Sequence, residues 1–241
     1  MIRLLLAIVC ACGLFAADSA SIERMARAAG DLPVLHDGRI KPLASVARHC
    51  LLSLSGREVI PSESGPSLSA TAWMLEGLAD RNAATLRQVI KLRNPEVAEA
   101  LGLKARANMR YSSDEIGRGF QEHAAQLDQL FQRDRKSLAP AELQLVELAH
   151  NMNHVFSLIA SGNLAVVPGS EQARKEWLPS ARISAPDQLQ MAVVSGWSSM
   201  LVAVRAGDAE AVERHAAAIM QSLAPVVDGE RLYAENIYHR L

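Results

Sequence analysis

Apolar residues recur at helical spacing through most of the chain, and capping or breaking residues punctuate them at regular intervals. Pro42 opens a helix running to about Ser53, and another is predicted over 70–80 after a Ser-, Gly-, Pro- and Glu-rich loop at 55–69. A short strand is expected between Leu86 and Leu92. Asn94-Pro95-Glu96 supplies an N-cap, a proline in the first turn and an acid beside it, with Gly102 as the stop of a short helix. Ser112 to Glu115 forms a capping box for one longer helix whose stripe carries Ile116, Phe120, His123, Leu127, Leu130 and Phe131. Within that stripe His123 reads as a hydrogen-bonded boundary residue.

Beyond Ala139-Pro140, Leu145, Leu148, Met152, Val155, Phe156 and Ile159 mark a further helix that stops at Gly162-Asn163. Leu164 to Val167 is expected as a short strand and Trp177-Leu178-Pro179 as a loop. The helix from Asp187 to Arg205 has so little polar perimeter that it is expected at the centre of the fold. Gly207 stops it and Asp208 caps the next, which makes a helical hairpin ending near Ala224-Pro225. The exception to this helical pattern is Asp31 to Pro42, two short extended pieces joined at Asp37-Gly38. That dipeptide suits a tight hairpin because both positions tolerate positive φ. The pattern as a whole predicts a mainly α fold, a multi-helix bundle with helical hairpins and a few short β-strands.

Composition strengthens this reading: 39 alanines stand against 4 Phe, 3 Trp and 3 Tyr, a balance suited to close-packed helices rather than aromatic-rich sheets. Trp73, Trp177 and Trp197 are spread through the sequence and read as packing anchors. Lys and Arg number 25 and Asp and Glu 26, so no basic excess exists to displace counterions from a nucleic acid.

Arg3 precedes an apolar run from Leu4 to Ala17, followed by Asp18, Ser19, Ala20 and Ser21, the form of a secretory signal. The run is shorter than the roughly 20 residues that span a bilayer. Residues 1–20 are therefore expected as a signal peptide, and 21–241 as one extracytoplasmic helical domain, divisible if at all near residue 138. Val9-Cys10-Ala11-Cys12-Gly13 offers lipidation of Cys12 as the alternative exit. No other apolar stretch reads as long enough to span, so the expected location is the periplasmic side of a bacterial membrane, in solution or peripherally attached. Loss of Cys10 and Cys12 leaves Cys50 alone, expected as a buried inert thiol.

The sharpest metal-ligand spacing is Glu147, His150 and His154, because histidines four apart on a helix present both rings to one ion. Both rings project opposite the apolar stripe, however, and position 151 is Asn where a metalloprotease needs Glu. A solvated polar face is the plainer reading, with a metal-binding protein or hydrolase at His150 and His154 as the alternative. No Gly-rich phosphate loop, nucleophile elbow or Cys-x-x-Cys-His haem-attachment sequence occurs, so a catalytic role is not expected.

The segment LPVLHDGRIKPLASVARHCLLSLSG, Leu32 to Gly56, resembles part of the cytochrome c biogenesis proteins of the ResB/CcsA type. Their signature reads approximately Pro-Val-x-x-x-Gly-Arg-x-Lys-Pro-Leu-Asp-Thr, then Ala-Arg. Pro33, Val34, Gly38, Arg39, Lys41, Pro42, Leu43, Ala47 and Arg48 match it, whereas Ala44 and Ser45 replace Asp-Thr. Weaker echoes follow at Val167-Pro168, Trp177-Leu178, the Ala206-Gly207-Asp208 junction and a C-terminal segment with Glu230, Tyr233, Glu235 and Asn236. The resemblance implies a soluble extracytoplasmic domain that precedes a membrane haem-handling domain. This chain looks like the outer half of a split system or a truncated relative.

What the resemblance implies is a non-catalytic accessory or docking domain in c-type cytochrome assembly, with a membrane-embedded biogenesis protein as partner. Haem enters only through that partner, and the chain itself is expected to bind no cofactor. Pro33, Gly38, Arg39, Lys41, Pro42 and Arg48 are the expected structural or contact motif, and Tyr233, Glu235 and Asn236 the partner-facing C-terminus. Arg39 capping nearby carbonyls within its own domain, or a general helical scaffold with no haem link, are the competing readings.

Overall fold

In a computed structural model of the protein the described residues are 19–61, 66–160, 162–171 and 175–238. The lipobox at Cys12 and nearly all of the expected signal peptide lie outside them. In chain order the elements are helix α1 (Ser19–Gly30), strands β1 (Pro33–His36) and β2 (Arg39–Pro42), helix α2 (Leu43–Ser55), strands β3 (Val59–Ile60) and β4 (Leu68–Ser69), and helices α3 (Ala70–Ala79) and α4 (Arg81–Leu86). Strand β5 (Ile90–Lys91), helix α5 (Pro95–Ala100), strand β6 (Arg110–Tyr111) and helices α6 (Ser113–Glu122), α7 (Ala124–Phe131) and α8 (Pro140–Ala160) follow. Strands β7 (Ala165–Pro168) and β8 (Trp177–Pro179) then lead to helices α9 (Gln188–Ala206), α10 (Ala209–Leu223) and α11 (Gly229–Tyr238). The fold is mainly α with a few short strands, as the periodicity predicts.

The first helix already sits in the core. Ile22, Met25, Ala26 and Ala29 lie at one-face spacing and are almost completely buried against α3 and α10, while Arg24 on the outer side pairs with Glu213 at 2.7 Å. The centre of the molecule is α3, whose Trp73, Met74 and Leu75 are buried by α1, α2, α4, α8 and α9 around it. This corrects the expectation that α9 is central. That helix buries Val193, Trp197, Met200 and Val204 against α3 and α10, yet leaves Met191 and Val202 52% and 60% exposed. Its 19 residues also form an apolar stretch of membrane-spanning length, contrary to the sequence reading, but Trp197 and Met200 tie it into the core.

Three local departures have identifiable causes. Ahead of the strand expected over 86–92 the chain forms an unanticipated short helix, α4, because the Asp80 side chain accepts from the Asn82 N–H at 3.0 Å and caps it. The strand shrinks to Ile90–Lys91. The long helix predicted through His123 breaks there into α6 and α7. His123 takes φ −111° and ψ 19°, and both its ring Nδ1 and its backbone N–H fall near the Gly119 carbonyl, at 3.0 and 3.1 Å. Trp177-Leu178-Pro179, expected as a loop, is strand β8, paired antiparallel with β7. The segment buries Trp177 and places it opposite Pro168.

The predicted Ser112–Glu115 capping box forms, and Asp208 caps α10 after Gly207 turns the chain at φ 72°. Asp187 and Gln190 make a second reciprocal box that the sequence reading does not anticipate. Arg106 completes the first box: its Nη1 donates to Glu115 Oε2 at 3.0 Å and its guanidinium lies 4.9 Å from the Tyr111 ring centroid. Burial alone would raise the Glu115 carboxyl, but the donors of Arg106 and Ser112 outweigh it and hold the group below its ordinary value of 4.5.

A Cβ on Gly77 would lie 2.5 Å from Ile159 Cγ2 and 2.7 Å from Ala84 Cβ, so Gly77→Ala should lower unfolding free energy by about 1–3 kcal/mol in urea titrations. In contrast, Gly117→Ala meets nothing within 4 Å on a helix and should raise it by up to about 1 kcal/mol. Because the folded carboxyl of Glu115 is depressed, its contribution is complete above pH 4.5 and is lost as pH falls below that toward the folded value. Glu115→Gln should therefore be less stable than the parent at neutral pH and show a shallower loss on acidification.

Candidate functional site

The signature segment folds into one continuous unit. Asp37 and Gly38 take φ 51° and 73°, the left-handed pair that a two-residue hairpin requires, and no atom lies within 4 Å of a Cβ built on Gly38. Glycine is there for its backbone angle, not for room. The turn sets the register Pro33 to Pro42, Val34 to Lys41, Leu35 to Ile40 and His36 to Arg39. The Leu43 N–H then donates to the Leu32 carbonyl at 2.8 Å, which closes the base of the hairpin as α2 begins. Strand β1 also pairs with β7, giving a four-stranded sheet in the order β2-β1-β7-β8.

The signature residues divide by depth. Pro33, Val34, Pro42, Leu43 and Ala47 are buried, and Ser45, one of the two departures from the signature that the segment resembles, buries a hydroxyl with no hydrogen-bond partner among the described residues. One guanidinium nitrogen of Arg48, Nη2, is buried in the same condition. The side chains of Asp37 and Arg39 stand outside, 56% and 62% exposed. Lys41 folds back to Asp37 at 3.4 Å.

Beneath the turn lies a histidine cluster that sequence spacing does not reveal. His36, 5% exposed, places Nε2 3.3 Å from Nε2 of His154 on α8, so one ring nitrogen donates to the other. The His49 ring of α2 stands edge-on to His36 with centroids 5.9 Å apart. On the other side of His36, Nδ1 is 2.9 Å from Asp37 Oδ2 without the alignment of a hydrogen bond, an electrostatic contact. Burial pushes the His36 imidazole below its ordinary value; Asp37 opposes this, whereas Lys41, His154 and His49 reinforce it. Burial works against ionisation of Asp37 too, but His36, Lys41 and His49 hold its carboxyl below the usual range. The Cys50 thiol, also buried, is pushed up to about 12 by burial and by Asp37, so at neutral pH it supplies no thiolate.

The trio Glu147, His150 and His154 does not converge. Arg135 holds the Glu147 carboxylate, and His150 and His154 both lie on the exposed face of α8, as the plainer sequence reading expects, with only the His154 ring turned to His36. Among the described residues no group of three His, Cys, Asp or Glu side chains is arranged to hold a metal ion. The His154 ring therefore ties α8 to the hairpin.

A second junction joins the two ends of the resemblance. Glu235 of α11, 19% exposed, lies 3.7 Å from Nη1 of Arg39, and α11 packs along β2. Tyr233 and Asn236 belong to the same helix, but their side chains lie outside the described residues. No protein-family model matches this chain, and no curated protein matches it either.

Removing the exposed His154 ring takes the partner from His36 Nε2 and lets water reach it. His154→Ala should cost about 0.5–1.5 kcal/mol in urea unfolding at neutral pH. His150→Ala, at an exposed position on the same helix, should stay within about 0.5 kcal/mol of the parent.

Proposed function

We propose that the protein is a non-catalytic, extracytoplasmic docking domain that assists c-type cytochrome assembly beside a membrane-embedded haem-handling partner. The observation that carries this reading is the contact between Arg39 and Glu235. It brings together, from positions almost the whole domain apart in sequence, the segment that most resembles the ResB/CcsA-type proteins and one of its weaker echoes. In those relatives the C-terminal segment leads toward the membrane, so the hairpin tip beside it is the part of the domain best placed to meet an intramembrane partner.

The chemistry of the tip fits that task. A docking element has to hold its shape before the partner arrives, because each side chain ordered on binding subtracts from affinity. The left-handed turn, the buried His36 and the closed base supply that rigidity, while Asp37 and Arg39 offer opposite charges at the exposed end. Arg39 presents a planar fork suited to a partner carboxylate.

The test separates docking from internal pairing. In the native host, Arg39→Glu should reduce haem staining of membrane cytochromes while the protein still accumulates. The charge-swapped pair Arg39→Glu with Glu235→Arg restores the internal contact but not a partner contact, so staining should stay low. Full recovery in the swapped protein would assign Arg39 to its own domain and remove the docking role.

A further inference from the structure

On a different part of the molecule, 11 of the described residues line an open groove of about 820 Å³ between the end of α2 and the β5-β6 ladder. Five of them are cationic, Arg57, Arg87, Lys91, Arg93 and Arg110, and none is a carboxylate. For a chain with a formal net charge of −1 this is a local concentration of one sign. Two of the five have internal partners. Arg87 is held in a two-pronged pair with Glu76 at 2.7 and 2.8 Å, and Arg110 donates to the Val89 and Ser55 carbonyls at 3.0 and 3.3 Å. The second of these carbonyls ends α2, whose dipole favours a cation there.

Lys91, Arg57 and Arg93 remain without a carboxylate partner among the described residues. The Lys91 ammonium donates only to the Asn108 carbonyl, at 2.8 Å. The Glu147 carboxylate, which borders an adjoining depression shared by Lys91 and Arg93, is already taken by Arg135. Moreover, the ladder sets Lys91 directly opposite Arg110, and like charges in register across a strand pair repel. Arg110 is depressed below its ordinary value by burial and by the Arg57 charge.

We infer that this groove is an anion site for a ligand carrying two or more phosphate charges. Guanidinium forks match the oxygens of a phosphate, and backbone bonds already hold Arg110 and Lys91 in place. The space exceeds that of a single phosphate and falls within the range of small-molecule sites. Apart from Ile60 and Pro61 the lining is polar or glycine, which favours a polyanion over an apolar acid. Both a soluble phosphorylated compound and the headgroups of anionic lipids supply this chemistry.

The experiment uses the whole chain, with pyrophosphate as the soluble probe and vesicles of phosphatidylglycerol and phosphatidylcholine in equal parts as the lipid probe. Calorimetry should give a pyrophosphate Kd below about 1 mM that weakens by about tenfold or more in Arg57→Glu/Arg93→Glu. Arg118→Glu/Arg214→Glu changes net charge equally at cations paired elsewhere and should leave the Kd within about twofold. Thermal melts of both variants confirm that each is folded. Flotation with the vesicles, competed by pyrophosphate, assigns the site to lipid headgroups; binding of pyrophosphate without flotation assigns it to soluble ligands. Failure of both probes to bind, or equal binding by the two variants, overturns the inference.

Discussion

The positive-φ turn at Asp37-Gly38 governs more of this molecule than its two residues suggest. It fixes the pairing of β1 with β2, and a slip of one residue would exchange the inward and outward faces of both strands. His36 would then leave its buried position against the exposed rings of His154 and His49, and Arg39 would lose its place beside Glu235. Because Leu43 closes the base by donating to Leu32, the start of α2 inherits the same register, and α2 packs on α1, α3, α8 and α11. Local backbone chemistry thus sets the alignment of long-range contacts.

Around that hairpin the fold relies on helix packing without any described disulfide, and Cys50 is a buried thiol. The α3 helix makes this possible by being small at the points of closest approach. Gly77 admits Ile159 and Ala84 at distances no Cβ would allow, while Trp73 and Met74 fill the remaining space. The α9-α10 hairpin closes one side, with Gly196 receiving Ile219 in the same manner. Packing of this kind positions the functional surfaces but does not create them; those come from charge placed on loops and short ladders.

What could be read from residues alone divides along physical lines. The Asp-Gly turn, the Ser112–Glu115 capping box and the Gly207-Asp208 junction were legible because each is a local contest between backbone geometry and one or two side chains. The Arg135 hold on Glu147 and the meeting of His36 with His154, 118 residues apart, were not legible, because they depend on which faces α8 and the hairpin present to each other. The α9 position was misread for a related reason: a scarcity of polar residues does not say whether a helix is surrounded or merely covered on one side. Trp177 became part of a strand because β7 offered it an edge, which no local signal announces. The cationic groove collects residues from three separate stretches, none of them basic enough to stand out individually.

The account of function depends on the hairpin tip meeting an intramembrane partner. Its most direct measurement is site-specific photocrosslinking in native membranes, with the photoreactive residue at position 39 and a control at position 210 on the exposed side of α10. The account predicts an adduct between position 39 and a polytopic membrane protein that co-purifies with haem, and none from position 210. Adducts from position 39 only with soluble proteins, or the same adducts from both positions, would contradict it.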